Sequence, residues 1–122
     1  MKKLTTILLV GLLSLVLLTA CGGKSGEVKE LTVEMGPNGE MAFVPDVLEA
    51  NEGDTLKITL VNKDPAVAHN FLIPALGVNS GQVPAGQSSV IEVRASQKGE
   101  HEIICDVPGH LESGMKGKLI VK

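Results

Sequence analysis

The sequence predicts an all-β domain, a Greek-key β-sandwich or barrel of seven to eight short strands. Three observations carry that expectation. Short segments alternate apolar and polar residues with a period of two. The 122 residues include 14 Gly and 6 Pro, many of them between those segments, where they act as turn signals. No helical period extends beyond a single turn, between Pro74 and Gly86.

The strands follow in order. Leu31 to Met35 alternates, and Gly36-Pro37-Asn38-Gly39 then turns the chain. Met41 to Leu48 is extended but interrupted by Pro45, which places it at a sheet edge or a bend. After the turn at Glu52-Gly53-Asp54, Leu56, Ile58 and Leu60 alternate with Lys57, Thr59 and Val61, the pattern of a half-buried strand. Asn62-Lys63-Asp64-Pro65 reads as another turn, Val67 to Ile73 as an apolar segment around His69-Asn70, and Pro74 to Gln87 as a loop. Ser89, Ile91 and Val93 share one face of the next strand. His101, Ile103 and Cys105 share one face of the strand after the Gln97-Lys98-Gly99 turn. Val107 to Gly114 is a loop, and Lys116 to Lys122 is the last strand.

Composition excludes several function classes. The length fits one small domain and a targeting segment, not a two-domain enzyme or a repeat array. A net charge of −3, two Phe and no Tyr or Trp leave neither a basic footprint nor stacking platforms for nucleic acid. The N-terminus reads as an export signal: Lys2 and Lys3, an apolar run of 12 residues from Ile7 to Leu18, then small residues. That run falls short of the roughly 20 residues a spanning helix needs. Leu18-Thr19-Ala20-Cys21 resembles the lipobox of bacterial lipoproteins, in which the Cys is lipidated and becomes the first mature residue. The expected organisation is therefore a signal peptide over residues 1–20, a lipidated Cys21 with a flexible tether over 21–30, and a folded domain over 31–122. Cleavage removes Lys2 and Lys3 and takes the net charge from −3 to −5. It also leaves Cys105 without a partner for an internal disulfide.

Cys105 has a different use. His110 and Met115 follow it at intervals of five residues, and His69 lies upstream. Singly, each has a packing explanation. Together, a thiolate, two imidazoles and a thioether are the donor set of a trigonal His₂Cys copper site with a weak axial Met. The soft sulfur donors hold Cu(I), and the imidazoles suit both oxidation states. His101 lies four residues from Cys105, roughly 13 Å along the strand, too far to share a metal. It reads as a packed or pocket-lining residue, and Met35 and Met41 read as packing residues.

Residues 31–122 resemble the cupredoxins, the small blue copper proteins. The segments that carry the resemblance are Asn51-Glu52-Gly53-Asp54, Ala68-His69-Asn70-Phe71, Gly99 to Cys105 and Gly114 to Val121. The spacing around His110 is most like that of the rusticyanin, sulfocyanin and auracyanin loop. The resemblance implies one copper per chain held by His69, Cys105, His110 and Met115, with Asn70 tethering the ligand loop. It implies no catalysis by the chain itself. Gly109 stands where a binuclear copper centre needs a second Cys, and three His are too few for a multicopper oxidase.

The expected function is electron transport by an exported, lipid-anchored monomer. It would stand on the outer face of the cell membrane or in the periplasm and meet redox proteins at the membrane surface. Electrons would leave through the His110 edge, framed by an apolar partner patch of Val107, Pro108, Gly109 and Leu111. Copper storage or delivery, for example to an oxidase, is the alternative, and an interaction module with a structural metal is the third. Cys21→Ser is expected to leave the protein uncleaved or free of the membrane. Detergent phase partitioning checks this, with the wild type from its native host in the detergent phase.

Overall fold

The computed structural model describes residues 26–122. The expected signal peptide, Cys21 and the first part of the expected tether lie outside the described residues, and residues 28–30, expected in the tether, belong to the first strand. Nine strands form among those described: β1 (Val28–Met35), β2 (Phe43–Val44), β3 (Val47–Ala50), β4 (Thr55–Asn62), β5 (Leu72–Ile73), β6 (Val78–Asn79), β7 (Ser88–Arg94), β8 (Gly99–Ile104) and β9 (Lys116–Val121). Three of them are two residues long. They build two sheets, β2-β1-β4-β7 and β3-β9-β8-β5-β6, packed as a sandwich. β1 runs parallel to β4, and β3 parallel to β9; the other pairs are antiparallel.

The alternation in the sequence becomes the burial pattern. Leu56, Ile58 and Leu60 of β4 are buried, and they meet Val33, Met35, Phe43, Leu48, Phe71, Ile73, Ile103 and Leu119 in one core. Phe43 and Phe71 cross edge to face, with centroids 5.4 Å apart. Met35 lies fully inside this core, and Met41 packs against it. Pro45 falls between β2 and β3, where the chain leaves one sheet for the other. This is the bend its missing N–H favours. The turn at Gly36-Pro37-Asn38-Gly39 forms as a 3₁₀ turn over Pro37–Gly39, and a second covers Pro74–Leu76. His101 is buried, and its Nε2 pairs with the Gln97 carbonyl at 2.7 Å, so it is a satisfied packing residue.

Strand direction gives the sandwich two distinct ends. Thr55 N–H donates to the Glu27 carbonyl, and Glu52 N–H to that of Lys122, so the chain enters beside the β3–β4 turn and the end of β9. β1 and β4 then run together, at roughly 3.3 Å per residue over eight residues, to Met35 and Asn62 at the far end. Ile104↔Lys116 closes the β8–β9 pair at that same end.

At the entry end, Asp54 is buried and ties the strands together. Its Oδ1 accepts from Glu27 N–H at 3.0 Å, and its Oδ2 accepts from Asn51 N–H at 2.8 Å and from Lys29 Nζ at 2.9 Å. The Lys29 ammonium, and then the Asn51 N–H, hold this carboxyl below the usual carboxylate range. A depressed native pKa contributes stability above about pH 4, and that contribution fades as pH falls through the native value. Asp54→Asn is therefore expected to lower thermal stability at pH 7, and the gap from wild type should narrow progressively as pH falls below about 4. Thermal melts of both proteins across that range check it.

Candidate metal centre

The far end of the sandwich gathers His69, Cys105 and His110 from separate parts of the chain. Cys105 lies one residue beyond β8, and its N–H donates to the Met115 carbonyl at 3.2 Å. The segment between them is a run of tight turns. His110 N–H donates to the Val107 carbonyl, Ser113 Oγ to the Gly109 carbonyl, and Met115 N–H returns to the His110 carbonyl at 3.0 Å. These bonds fix the spacing of five between Cys105, His110 and Met115 as a compact loop. His69 enters from the other side, between β4 and β5. Its N–H and C=O both pair with Val83, at 3.2 and 2.8 Å, so the segment from Pro74 to Gln87 carries a bridge to it.

The donor atoms converge. His69 Nδ1 and His110 Nδ1 are 3.1 Å apart, Cys105 Sγ is 3.5 Å from His110 Nδ1, and Sγ is 4.0 Å from His69 Nδ1. A first-row metal binds nitrogen and sulfur at roughly 2.0 and 2.3 Å, so three donors in a plane around it stand about 3.5–3.8 Å apart. The observed triangle brackets that spacing. Two unprotonated imidazole nitrogens 3.1 Å apart repel unless a cation lies between them or one carries a proton. Cys105 and His69 are fully buried and His110 is 8% exposed. The thiol, two imidazoles and the fully buried Met115 beside them fit copper in chemical type as well as in spacing. Burial, and then the neighbouring His69, push the His110 imidazole below the usual histidine range, which keeps it neutral and available as a ligand at pH 7.

The two imidazoles have different surroundings. The His69 Nε2 is 3.0 Å from Asp64 Oδ2, a carboxylate that only accepts, so Nε2 carries the proton and Nδ1 presents its lone pair. The other Asp64 oxygen accepts from Ala66 and Val67 N–H at 2.8 and 3.0 Å. Those donors, Ala66 first, hold the Asp64 carboxyl below the usual range. The opposite holds at His110. Its Nε2 has no hydrogen-bond partner, yet no buried side-chain nitrogen or oxygen lacks one among the described residues, so this nitrogen reaches solvent. Around it Pro108 and Gly109 are exposed, and Val107 and Leu111 are half-buried.

Asn70 and Asp106 close the loop against the body of the fold. Asn70 Nδ2 donates to Asp106 Oδ1 at 2.6 Å, and Asp106 N–H donates to Asn70 Oδ1 at 3.0 Å. Sequence reasoning placed Asn70 here but missed Asp64, read only as a turn residue, and missed the Val83 bridge. It also missed Gly36, a buried turn residue whose φ is +63°. A Cβ on Gly36 would stand 2.3 Å from His69 Nε2 and 2.8 Å from Asp64 Cβ, so the backbone there packs directly on the ring.

With this geometry in place, comparison with known proteins is decisive at the level of family. The chain matches the cupredoxin-like domain over residues 7–121. It belongs to the cupredoxin-like family. The copper-resistant cuproprotein CopI of Rubrivivax gelatinosus is 24% identical over 121 residues, covering 82% of this chain and 73% of that protein. The reduced auracyanin of Roseiflexus castenholzii superposes with a TM-score of 0.66 at 18% identity, over 80% of this chain and 99% of that one. The metal-binding domain of the Cu(I)-exporting P-type ATPase CopA of Streptococcus pneumoniae D39, solved with Cu(I), gives 0.63 at 18% identity, over 78% and 86%.

The contact at Gly36 generates a prediction independent of any metal. Gly36→Ala forces a side chain into a left-handed backbone and against the His69 ring, and it should destabilise the apo-protein by about 2 kcal/mol or more. Gly39→Ala in the same turn shares the strained φ but meets open space, so its loss should be smaller. Denaturant unfolding of the two variants checks the difference.

Proposed function

We propose that this chain binds one copper ion through His69, Cys105, His110 and Met115 and carries single electrons between protein partners, without catalysis of its own. The observation that carries the reading is the pairing of a closed donor triangle with one imidazole edge open to solvent. Bound copper would supply a one-electron Cu(I)/Cu(II) couple. The chain's own residues keep the donors at fixed positions, so little rearrangement accompanies a change of charge. His110 provides the exit, because the site is otherwise sealed by buried residues. Pro108, Gly109 and Leu111 form the patch a partner would meet, and a small apolar contact suits a weak redox encounter that must release quickly. Asp106 and Glu112, both exposed, stand at its rim.

Export and attachment through a lipidated Cys21 belong to the same proposal. The described residues begin at the end of the sandwich opposite the site. A second reading, copper storage or delivery, draws on the likeness to the copper-resistance protein CopI.

Copper titration of the purified apo-protein tests the proposal. The expected result is one equivalent bound and an intense blue band on oxidation. Cys105→Ser should abolish the band and most of the affinity, and Met115→Leu should keep the band and raise the potential. Reversible cycling with copper retained against a chelator in both states supports the carrier. Ready loss of Cu(I) to the chelator supports delivery instead. Leu111→Glu should slow electron exchange in stopped-flow while leaving the spectrum intact; an unchanged rate would remove the His110 edge as the exit.

A further inference from the structure

We infer that Asp64 is a positioning residue that sets the tautomer of His69 and, through its charge, biases the site toward the oxidised metal. This inference rests on the copper reading above and assigns a role to a residue outside the four ligands.

His69 is fully buried and both its ring nitrogens are engaged, Nδ1 toward His110 and Cys105 and Nε2 on Asp64 Oδ2 at 3.0 Å. A carboxylate cannot donate, so the proton sits on Nε2 and the lone pair on Nδ1 faces the donor triangle. An outer carboxylate on a ligating imidazole orients the ring and raises its basicity.

Asn62 Oδ1 accepts from Asp64 N–H at 2.9 Å, and Asn62 Nδ2 donates to the Val67 and Val83 carbonyls at 2.9 and 2.8 Å. Asn62 thus already braces this turn with a neutral amide. An uncharged acceptor at position 64 would serve Ala66 and Val67 N–H equally well. What Asp64 adds is a second oxygen that accepts from the His69 ring and a negative charge, buried to 4% exposure, with no Lys or Arg within 4 Å among the described residues. Burying a carboxylate with no Lys or Arg beside it is costly. Its donors are two backbone N–H groups and the ring N–H alone. A charge held on the far side of a ligand ring acts on the metal through that ring. It favours the higher positive charge, Cu(II) over Cu(I). The Nε2 of His110 has no carboxylate bonded to it, so the two imidazoles divide the work: one is tied to Asp64, the other faces the partner.

The test compares wild type with Asp64→Asn and Asp64→Ser. Ser keeps a side-chain acceptor for the turn and removes the charge, so it covers the case in which Asn misfolds. Both variants should bind copper and stay blue. Both should shift the balance of affinity toward Cu(I) by about tenfold or more, which raises the one-electron midpoint potential by about 59 mV per tenfold. A role confined to bracing the turn would lower stability and leave the potential where it was. A second readout needs no copper: nitrogen-15 NMR of the wild-type apo-protein should find His69 protonated on Nε2. Potentials unchanged or lowered in folded variants, or a proton found on Nδ1, would overturn the inference. A wild type that takes up no copper overturns the copper reading along with this one. A blue wild type whose potential ignores Asp64 overturns this inference alone.

Discussion

The parallel register of β1 on β4 positions both ends of the molecule. Val28 stands opposite Thr55 and Met35 opposite Asn62, with no slip across eight pairs. Because the strands run together, the residues that follow them emerge side by side. Gly36 follows β1 and Asp64 follows β4, and both come to rest against His69. A shift of one residue would turn Met35 out of the core and move Gly36 off the ring, since successive side chains in a strand face opposite ways. The same register places Glu27 N–H and the Lys29 side chain on Asp54 at the entry end. The centre thus depends on a strand pair that contributes no donor atom to it.

The centre itself joins a rigid half to an open half. His69 is locked by Val83 along its backbone, by Asp64 at its outer nitrogen and by Gly36 beneath its ring. His110 and Met115 ride on one short loop whose hydrogen bonds are mostly internal, and Asn70 and Asp106 pin the start of that loop. Donors held from both sides in this way would leave a bound metal ion little room to rearrange. The imidazole edge left open belongs to the loop half, on the side away from the His69 clamp.

Much of this was legible in the sequence, for physical reasons that also mark where reading stops. Alternation revealed β1, β4, β7, β8 and β9, because a half-buried strand must sort its side chains by face. Spacing revealed Cys105, His110 and Met115, because ligands on one loop are close in sequence as well as in space. His69 needed the chemistry of the set to single it out. Asp64 was invisible: a Pro follows it, and Asp before Pro is ordinary turn chemistry. Nothing local shows that this side chain is buried or that a ring 3.0 Å away needs an acceptor. Val83, inside a segment rich in Gly and Pro, reads as loop because its only strand-like partner is one residue of a distant turn. The two-residue strands β2, β5 and β6 are too short to display a period at all.

The two buried carboxylates make the last point. Asp54 and Asp64 lie at opposite ends of the sandwich, and each accepts two backbone N–H bonds and one side-chain N–H. At the entry end the third donor is the Lys29 ammonium, which cancels the charge, as expected of a group whose work is to hold strands together. At the far end the third donor is the ring N–H of His69, and no Lys or Arg stands within 4 Å of the carboxylate among the described residues. If turn bracing were the only demand at position 64, the arrangement at Asp54, or a plain amide like that of Asn62, would meet it at lower cost. A carboxylate with no Lys or Arg beside it is tolerable in a fold's interior when something opposite in sign belongs across the ring. The donor triangle of His69, Cys105 and His110 is where a cation would sit to satisfy it.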